Sequence, residues 1–212
     1  MTEPTRGHDD DAPRRRVESA AWAGVVYAIL AVVALGLVQS VPRGLSEAEW
    51  IEWLADAGHR RNLVVALSLS SIGAVSFLWF VAVIRRRIGD LEDRFFATVF
   101  LGSSLVYVAL WLVAMAIVAA PALIYETGQP MTWDGFRLAE GTAIGILIVA
   151  APRIQAVFVA STSTMFLRTR VVPRWLSYLG YSLAAVMFLI PIVATPVGLG
   201  LPVFVLVSSV TI

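Results

Sequence analysis

The sequence contains six apolar windows, each close to the length that a helix needs to cross a lipid bilayer. A spanning helix takes about 20 apolar residues, and 58% of the 212 residues are hydrophobic while 15% are charged. Soluble proteins average about 25% charged residues. We therefore predict an all-α fold, a polytopic transmembrane helix bundle with six spanning helices. The predicted spans are 20–41, 63–84, 95–123, 138–167, 175–194 and 197–212.

Little of the chain lies outside these windows. Residues 1–19 are rich in Asp and Arg and have almost nothing apolar to bury, so we predict a disordered cytoplasmic tail. Residues 20–212 then form the transmembrane bundle. The first window is longer than the core of a typical signal peptide and no cleavage site precedes Pro42, so we expect it to be retained. The sequence stops at Ile212 within apolar residues, which indicates either an unusual end or a truncated chain.

The connection between the first two spans carries the signature of a short helix. Ser46 and Glu49 have the spacing of a capping box, in which each side chain binds the other residue's backbone amide. Trp50 and Trp53 follow, and Gly58 is a natural stop. We predict an interfacial helix in the first external loop, lying flat at the lipid headgroups. A lid over a substrate path is the alternative.

The distribution of arginine predicts the orientation. All basic residues are arginine, and in a six-span arrangement eleven of them lie on one side whereas four lie on the other. Because cytoplasmic loops are enriched in positive charge, both termini should be cytoplasmic in a multi-pass protein of the bacterial inner (plasma) membrane. The eleven are Arg6, Arg14, Arg15, Arg16, Arg85, Arg86, Arg87, Arg94, Arg168, Arg170 and Arg174, and the four are Arg43, Arg60, Arg61 and Arg137.

The candidate functional site lies in the fourth window, where Pro152, Arg153 and Gln155 interrupt the apolar sequence. Pro152 has no backbone N–H and its ring crowds the carbonyl of Ile148, so we expect a kink or local opening just before Arg153. Arg153 lies about 21 Å along the helix from Leu167 and hence near the bilayer centre. A guanidinium at that depth costs from about 3 to more than 10 kcal/mol and needs compensating contacts.

Neutral side chains are the available partners, because no Asp or Glu lies in the central part of any predicted span. Matched depth places Tyr107 and Ser71 near the level of Arg153, whereas helical phase places Gln155 roughly opposite it. Gln155 would share a site with Arg153 only if Pro152 breaks the helix. We predict Arg153, Tyr107, Ser71 and Gln155 as ligand-binding residues. Arg153 either locks the bundle through hydrogen bonds, contacts an anionic ligand, or is interfacial because the spans are shifted.

Several classes of function are disfavoured by missing residue types. The chain has no cysteine, and His8 and His59 fall outside the apolar windows, so we predict neither a metal site nor a cofactor. The spans lack the paired aspartates or the serine and histidine that intramembrane proteases require, and we predict that the protein is not an enzyme, with no catalytic residues. A net charge of +1 gives no reason to expect nucleic acid.

Three segments carry a resemblance to known proteins: residues 93–103 (DRFFATVFLGS), the stretch from Pro152-Arg153 through Leu167-Arg168-Thr169, and Pro173-Arg174-Trp175-Leu176. With these segments the chain resembles uncharacterised small integral membrane proteins of actinobacteria, from domain-of-unknown-function families with about six spans. The resemblance covers residues 17–212 and implies no activity, substrate or catalytic residue. The end at Ile212 departs from the basic tail expected of such proteins.

The sequence supports two functional hypotheses. The first is a non-catalytic inner-membrane protein that serves as a scaffold or lipid-interacting component of the cell envelope. The second is a small permease or channel-like subunit that binds an anionic ligand near Arg153. The expected partners are the lipid bilayer, an anionic lipid or small anion, and further copies of the chain in a homo-oligomer. A water-accessible cavity reaching Arg153 would favour the second hypothesis, and a fully hydrogen-bonded arginine in a dry bundle the first.

Overall fold

The computed structural model describes residues 11–88, 94–129, 131–170, 172–189 and 197–211, and these residues form an all-α structure. The all-α prediction is therefore confirmed. The helices are α1 (Asp11–Gln39), α2 (Glu47–Ala55), α3 (Ala57–Ile88), α4 (Arg94–Tyr125), α5 (Trp133–Ile144), α6 (Ala151–Thr169), α7 (Arg174–Leu189) and α8 (Val197–Thr211), and a π-helical segment, Gly145–Ala150, joins α5 to α6.

Four helical segments are long and apolar enough to cross a membrane. They are Trp22–Gln39, Ala57–Arg86, Phe95–Tyr125 and the continuous segment Trp133–Thr169. The shortest has 18 residues and the longest 37, which correspond to about 27 and 55 Å at the rise of an α-helix, against a hydrocarbon core of about 30 Å. The first four predicted spans thus coincide with candidate membrane spans.

The described residues of the fifth and sixth predicted spans are helical, but these two helices are shorter than the other four segments. α7 has 16 residues and α8 has 15, fewer than the number a spanning helix usually takes. Residues 190–196, where the fifth predicted span ends and the sixth is about to begin, lie outside the described residues. Six crossings are therefore not shown, and the structure supports a bundle with four candidate membrane spans.

Two helix boundaries differ from the prediction. α1 begins at Asp11, so residues 11–19 of the predicted disordered tail are helical, and residues 1–10 lie outside the described part of the chain. The short helix ends before Asp56 and not at Gly58. Oδ1 of Asp56 instead accepts hydrogen bonds from the backbone N–H groups of Gly58 and His59, at 2.6 and 3.1 Å, and these amides open α3.

Buried aromatic rings hold the four long segments together. Phe77 of α3 is fully buried, and its ring centroid lies 4.9 Å from that of Tyr27, 5.5 Å from that of Tyr107 and 5.2 Å from that of Phe158. These rings belong to α1, α4 and α6. Because lipid tails are as apolar as the side chains, such van der Waals packing provides much of the attraction between helices in a membrane.

Glycines allow α7 and α8 to approach their neighbours closely. Gly180 of α7 faces Ser163 of α6, and Gly24 of α1 faces Ser209 of α8, so that a Cβ atom at either glycine would collide with the serine hydroxyl. Close backbone approach through small residues is typical of membrane helix pairs. α8 thereby packs against α1 as well as α6 and α7.

The helix opens just before Arg153, as the sequence predicts. Over Gly145–Ala150 the backbone widens to a π-helical turn, and the N–H of Ala151 binds the carbonyl of Ile146, five residues earlier. Pro152 follows directly, with no N–H to donate and a ring that crowds the preceding turn. The wider turn accommodates the proline without ending the long segment.

Candidate binding cavity

A partly open cavity of about 190 Å³ lies between α1, α4 and the long α5–α6 segment. We call its two ends the rim, where α1 ends and α2 lies, and the inner end, at Pro152 and Gln155. Most of its wall is apolar, and the polar side chains are confined to the two ends. The lining residues are Leu35, Val38, Gln39, Val41, Pro42, Arg43, Trp50, Leu63, Trp111, Ile117, Val118, Pro121, Phe136, Ala139, Glu140, Ala143, Ile144, Leu147, Ile148, Pro152 and Gln155.

The rim is covered by α2. Ser46 and Glu49 form the predicted capping box at its start, and Trp50 is buried against Phe136 of α5, with ring centroids 3.6 Å apart. The prediction of a short helix here is confirmed. Trp50 nevertheless packs into the bundle and lines the cavity, which sequence reasoning missed because the partner ring comes from a distant helix.

Arg60 fixes the other end of α2. Its Nη1 donates to the carbonyls of Leu54 and Ala55, at 2.8 and 2.7 Å, where the helix leaves carbonyls unpaired. Its Nε forms an ion pair of 3.0 Å with Glu126, and its guanidinium lies 4.2 Å from the ring centroid of Tyr125. One side chain of α3 therefore ties α2 to the end of α4.

Carboxyl groups at this end of the bundle have perturbed pKa values. Hydrogen bonds from the backbone and hydroxyl of Ser46 lower the pKa of Glu49, and those from the backbone of His59 and Gly58 lower the pKa of Asp56. In both cases the donors stabilise the charged form of an exposed carboxylate.

Gln155 lines the inner end of the cavity, and behind it lie two buried tyrosine hydroxyls from other helices. The hydroxyls of Tyr27 and Tyr107 lie 2.9 Å apart and are buried, and the side chain of Gln155 reaches the hydroxyl of Tyr107. Gln155 is 3% exposed. Its Oε1 has no hydrogen-bond partner among the described residues, and an unpaired buried polar atom costs about 1–3 kcal/mol.

The structure brings two of the four predicted site residues together. Gln155 lines the inner end of the cavity and interacts with Tyr107, which is buried behind the lining; Arg153 is half-buried and does not line the cavity either. Nη1 of Arg153 donates to the carbonyl of Val149 at 2.6 Å, within its own helical segment. The separation follows from helical phase, since α6 runs unbroken through residues 153 and 155.

Ser71 is also separate from the cavity. It is exposed on α3, and its hydroxyl donates to the carbonyl of Leu67, four residues earlier, at 2.9 Å. Depth along the membrane was the basis for selecting it, but depth does not determine which face of a helix turns inward. A ligand-binding role for any of the four residues stays a prediction.

Metal-binding side chains are not clustered in the part of the chain that the structure describes: no three His, Cys, Asp or Glu residues come together there. The prediction that the protein uses no metal or cofactor remains an expectation.

Comparison with protein-family models, curated proteins and solved structures finds no match to this chain. By its fold, the protein is all-helical in its described residues and has four long apolar helices that could span a membrane. No family is identified, and the resemblance to small actinobacterial membrane proteins stays an expectation from the sequence.

Proposed function

We propose that this chain is a non-catalytic, multi-pass protein of the bacterial inner membrane that binds a single amphiphile in the cavity between α1, α4 and α5–α6. An amphiphile is a molecule with an apolar chain and a polar head, such as a membrane lipid. The observation that supports this proposal most directly is the cavity. It has a volume of about 190 Å³, lies between apolar helices, and has a mostly apolar lining with charged groups at its rim. This proposal develops the lipid-interacting hypothesis.

The lining supports an apolar chain with a polar head. Leu147, Ile148 and Trp111 offer an apolar wall, while Arg43 and Glu140 lie at the rim, where a headgroup would sit. Ligand sites are typically of this kind, mostly apolar with a few polar groups that fix orientation. An acyl chain gains little free energy when it moves from the bilayer into an apolar cavity, because both environments are apolar. We therefore expect the polar groups at the rim to determine which amphiphile is preferred.

The anion-binding hypothesis receives less support from the same geometry. It requires a guanidinium that faces a space large enough for a ligand, and the described contact of Arg153 is with a backbone carbonyl of its own segment. The cavity is lined by other residues. We therefore prefer amphiphile binding and assign to Arg153 the local role of satisfying a carbonyl beside the π-helical turn.

For topology we propose six crossings with both termini in the cytoplasm. The concentration of arginine at the ends of α3 and α6 supports this arrangement, because positive charge is retained on the cytoplasmic side. The rim of the cavity and α2 would then face the outside of the cell, and the amphiphile would come from the outer leaflet.

Photochemical labelling tests the proposed function. A fatty acid with a diazirine group in its chain, added to the purified protein in nanodiscs, should label peptides that contain Leu147 and Ile148 more than those that contain Val186, which is exposed on α7, a helix with no described residue in the cavity lining. Labelling spread evenly over the apolar surface would contradict the proposal.

A further inference from the structure

We propose that the inner end of the cavity recognises a hydroxyl group on the bound amphiphile through the carboxamide of Gln155. This inference rests on the proposed function and specifies the chemistry of the ligand. Its evidence is the position of Gln155, which lines the cavity, is 3% exposed and has an unpaired carboxamide oxygen.

The carboxamide of Gln155 has more hydrogen-bonding capacity than its described neighbours use. It offers two donors on nitrogen and an acceptor oxygen, and the described polar neighbour it reaches is the hydroxyl of Tyr107. A rotation of the amide by 180° exchanges nitrogen and oxygen at almost no change in shape. In either orientation Tyr107 meets one end of the amide, and the other end remains for a ligand.

A hydroxyl is the group that suits both orientations. It donates to Oε1 when the oxygen is free and accepts from the nitrogen when the N–H groups are free. A carbonyl could only accept, and a methyl group could do neither. The hydroxyl would thus satisfy a buried polar atom that the described residues leave without a partner.

An isolated water molecule would fit this position less well. Buried waters usually make about three hydrogen bonds. The lining at this end includes Pro152, Ile148 and Leu147, and the hydroxyl of Tyr107 is already bonded to that of Tyr27. A hydroxyl on an alkyl chain needs one good hydrogen bond there, because its carbon chain fills the apolar space.

Two kinds of ligand could present such a hydroxyl. A free long-chain alcohol would bind with its polar head at the inner end, the reverse of a lipid whose head lies at the rim. An ω-hydroxy acid would bind with its chain end inward, leaving its carboxylate near Arg43 at the rim. The shared chemistry is a hydroxyl at the inner end, and the two sources can be separated with defined probes.

Native mass spectrometry with four probes tests the proposal. Hexadecane, hexadecanol, hexadecanoic acid and 16-hydroxyhexadecanoic acid are added to the detergent-solubilised full chain, and the bound fraction of each is measured. We expect hexadecanol to exceed hexadecane, or the hydroxy acid to exceed the plain acid, by about fivefold to tenfold, as one additional buried hydrogen bond implies. Which pair differs identifies the source.

Variants connect the preference to Gln155. Gln155→Met keeps an unbranched side chain and removes the carboxamide. Hydroxylated and plain probes should then bind to about the same extent, and the probes without a hydroxyl should still bind. Tyr181→Phe is the matched control, because it removes a hydroxyl pair with Thr164 (2.7 Å) away from the cavity lining. It should leave the preference unchanged.

The outcomes separate this inference from the proposed function. Equal binding of hydroxylated and plain probes to the wild-type protein would overturn the hydroxyl site, even if Gln155→Met does not fold, and would leave amphiphile binding intact. A preference that survives in Gln155→Met would also overturn it. Absence of binding by all four probes would overturn the proposed function itself.

Discussion

Tyr107 is the residue that joins the buried polar groups of α1 and α6. Replacement by Phe leaves the hydroxyl of Tyr27 without its partner and removes the polar interaction between the hydroxyl of Tyr107 and the carboxamide of Gln155. Interhelical hydrogen bonds in membrane bundles contribute about 0.6 kcal/mol on average and up to about 1.7 kcal/mol. Since two groups lose a partner, we expect Tyr107→Phe to destabilise the protein by about 1–2 kcal/mol, measured by unfolding in mixed micelles.

Tyr181→Phe serves as the control for this measurement. It also breaks a hydroxyl pair, but Thr164 keeps its hydrogen bond to the carbonyl of Ala160. We expect the free energy of unfolding to fall by about 0.6 kcal/mol or less. Equal losses of stability in the two variants would show that the polar contacts of Tyr107 have no special role in stabilising the protein.

Arg153 is expected to contribute little to lipid binding. Its guanidinium contacts the carbonyl of Val149 and does not line the cavity, so Arg153→Met should leave the amount of co-purifying lipid within about twofold of wild type. Quantitative lipid mass spectrometry of the purified variant checks this. A large loss of bound lipid would instead support the hypothesis that an anionic ligand binds near Arg153.

The junction between α2 and α3 should lose stability in acid. In the folded protein the backbone N–H groups of Gly58 and His59 hold the pKa of Asp56 below its ordinary value. A carboxyl whose folded pKa lies below its unfolded pKa contributes stability at neutral pH, and this contribution is lost as the pH falls through the folded pKa. We therefore expect the Tm to decrease between about pH 5 and pH 3.

Asp56→Asn is the matched control, because asparagine also caps a helix N-terminus but does not titrate. Its Tm should fall less steeply over the same pH range. If the variant and the wild type show the same pH dependence, the charge on Asp56 does not stabilise this junction, and other carboxyl groups, such as Glu49, become the source of the acid sensitivity.

The elements that the sequence predicted well are those governed by local rules. Apolar length predicted the four long helical segments, the spacing of Ser46 and Glu49 predicted the start of α2, and Pro152 predicted the opening before Arg153. Each depends on residues within a few positions of one another, so a single sequence contains the necessary information.

The candidate site was harder to predict because it depends on how distant helices face each other. Tyr107 and Gln155 were both predicted and do meet, but they meet away from Arg153 and Ser71. The cavity rim also depends on the contact between Trp50 and Phe136, which are 86 positions apart in the sequence. Nothing in the local pattern of either residue indicates the other.

The number of membrane crossings of the whole bundle can be measured by cysteine labelling, because the sequence contains no cysteine. A single cysteine at Thr195, between the fifth and sixth predicted spans, should react with a membrane-impermeant maleimide added to intact spheroplasts if there are six crossings. Thr127→Cys, in the connection between α4 and α5, should react in the same assay, and Thr2→Cys should not.

Lack of reaction at position 195, with reaction at 127, would show that the segment between the fifth and sixth predicted spans does not reach the external side. The bundle would then have four crossings, in agreement with the lengths of the described helices alone. Reaction at position 2 and not at 127 would reverse the proposed orientation.

If an amphiphile occupies the cavity, a bulky side chain placed inside the cavity should displace it. Ala139 lines it, whereas Ala116 is exposed on α4 and does not, so Ala139→Phe and Ala116→Phe add the same ring inside and outside. Native mass spectrometry of the proteins released from membranes should detect a retained lipid in the wild type and in Ala116→Phe, and should find it reduced at least about fivefold in Ala139→Phe. Equal amounts of retained lipid in all three proteins would show that the amphiphile does not occupy this cavity.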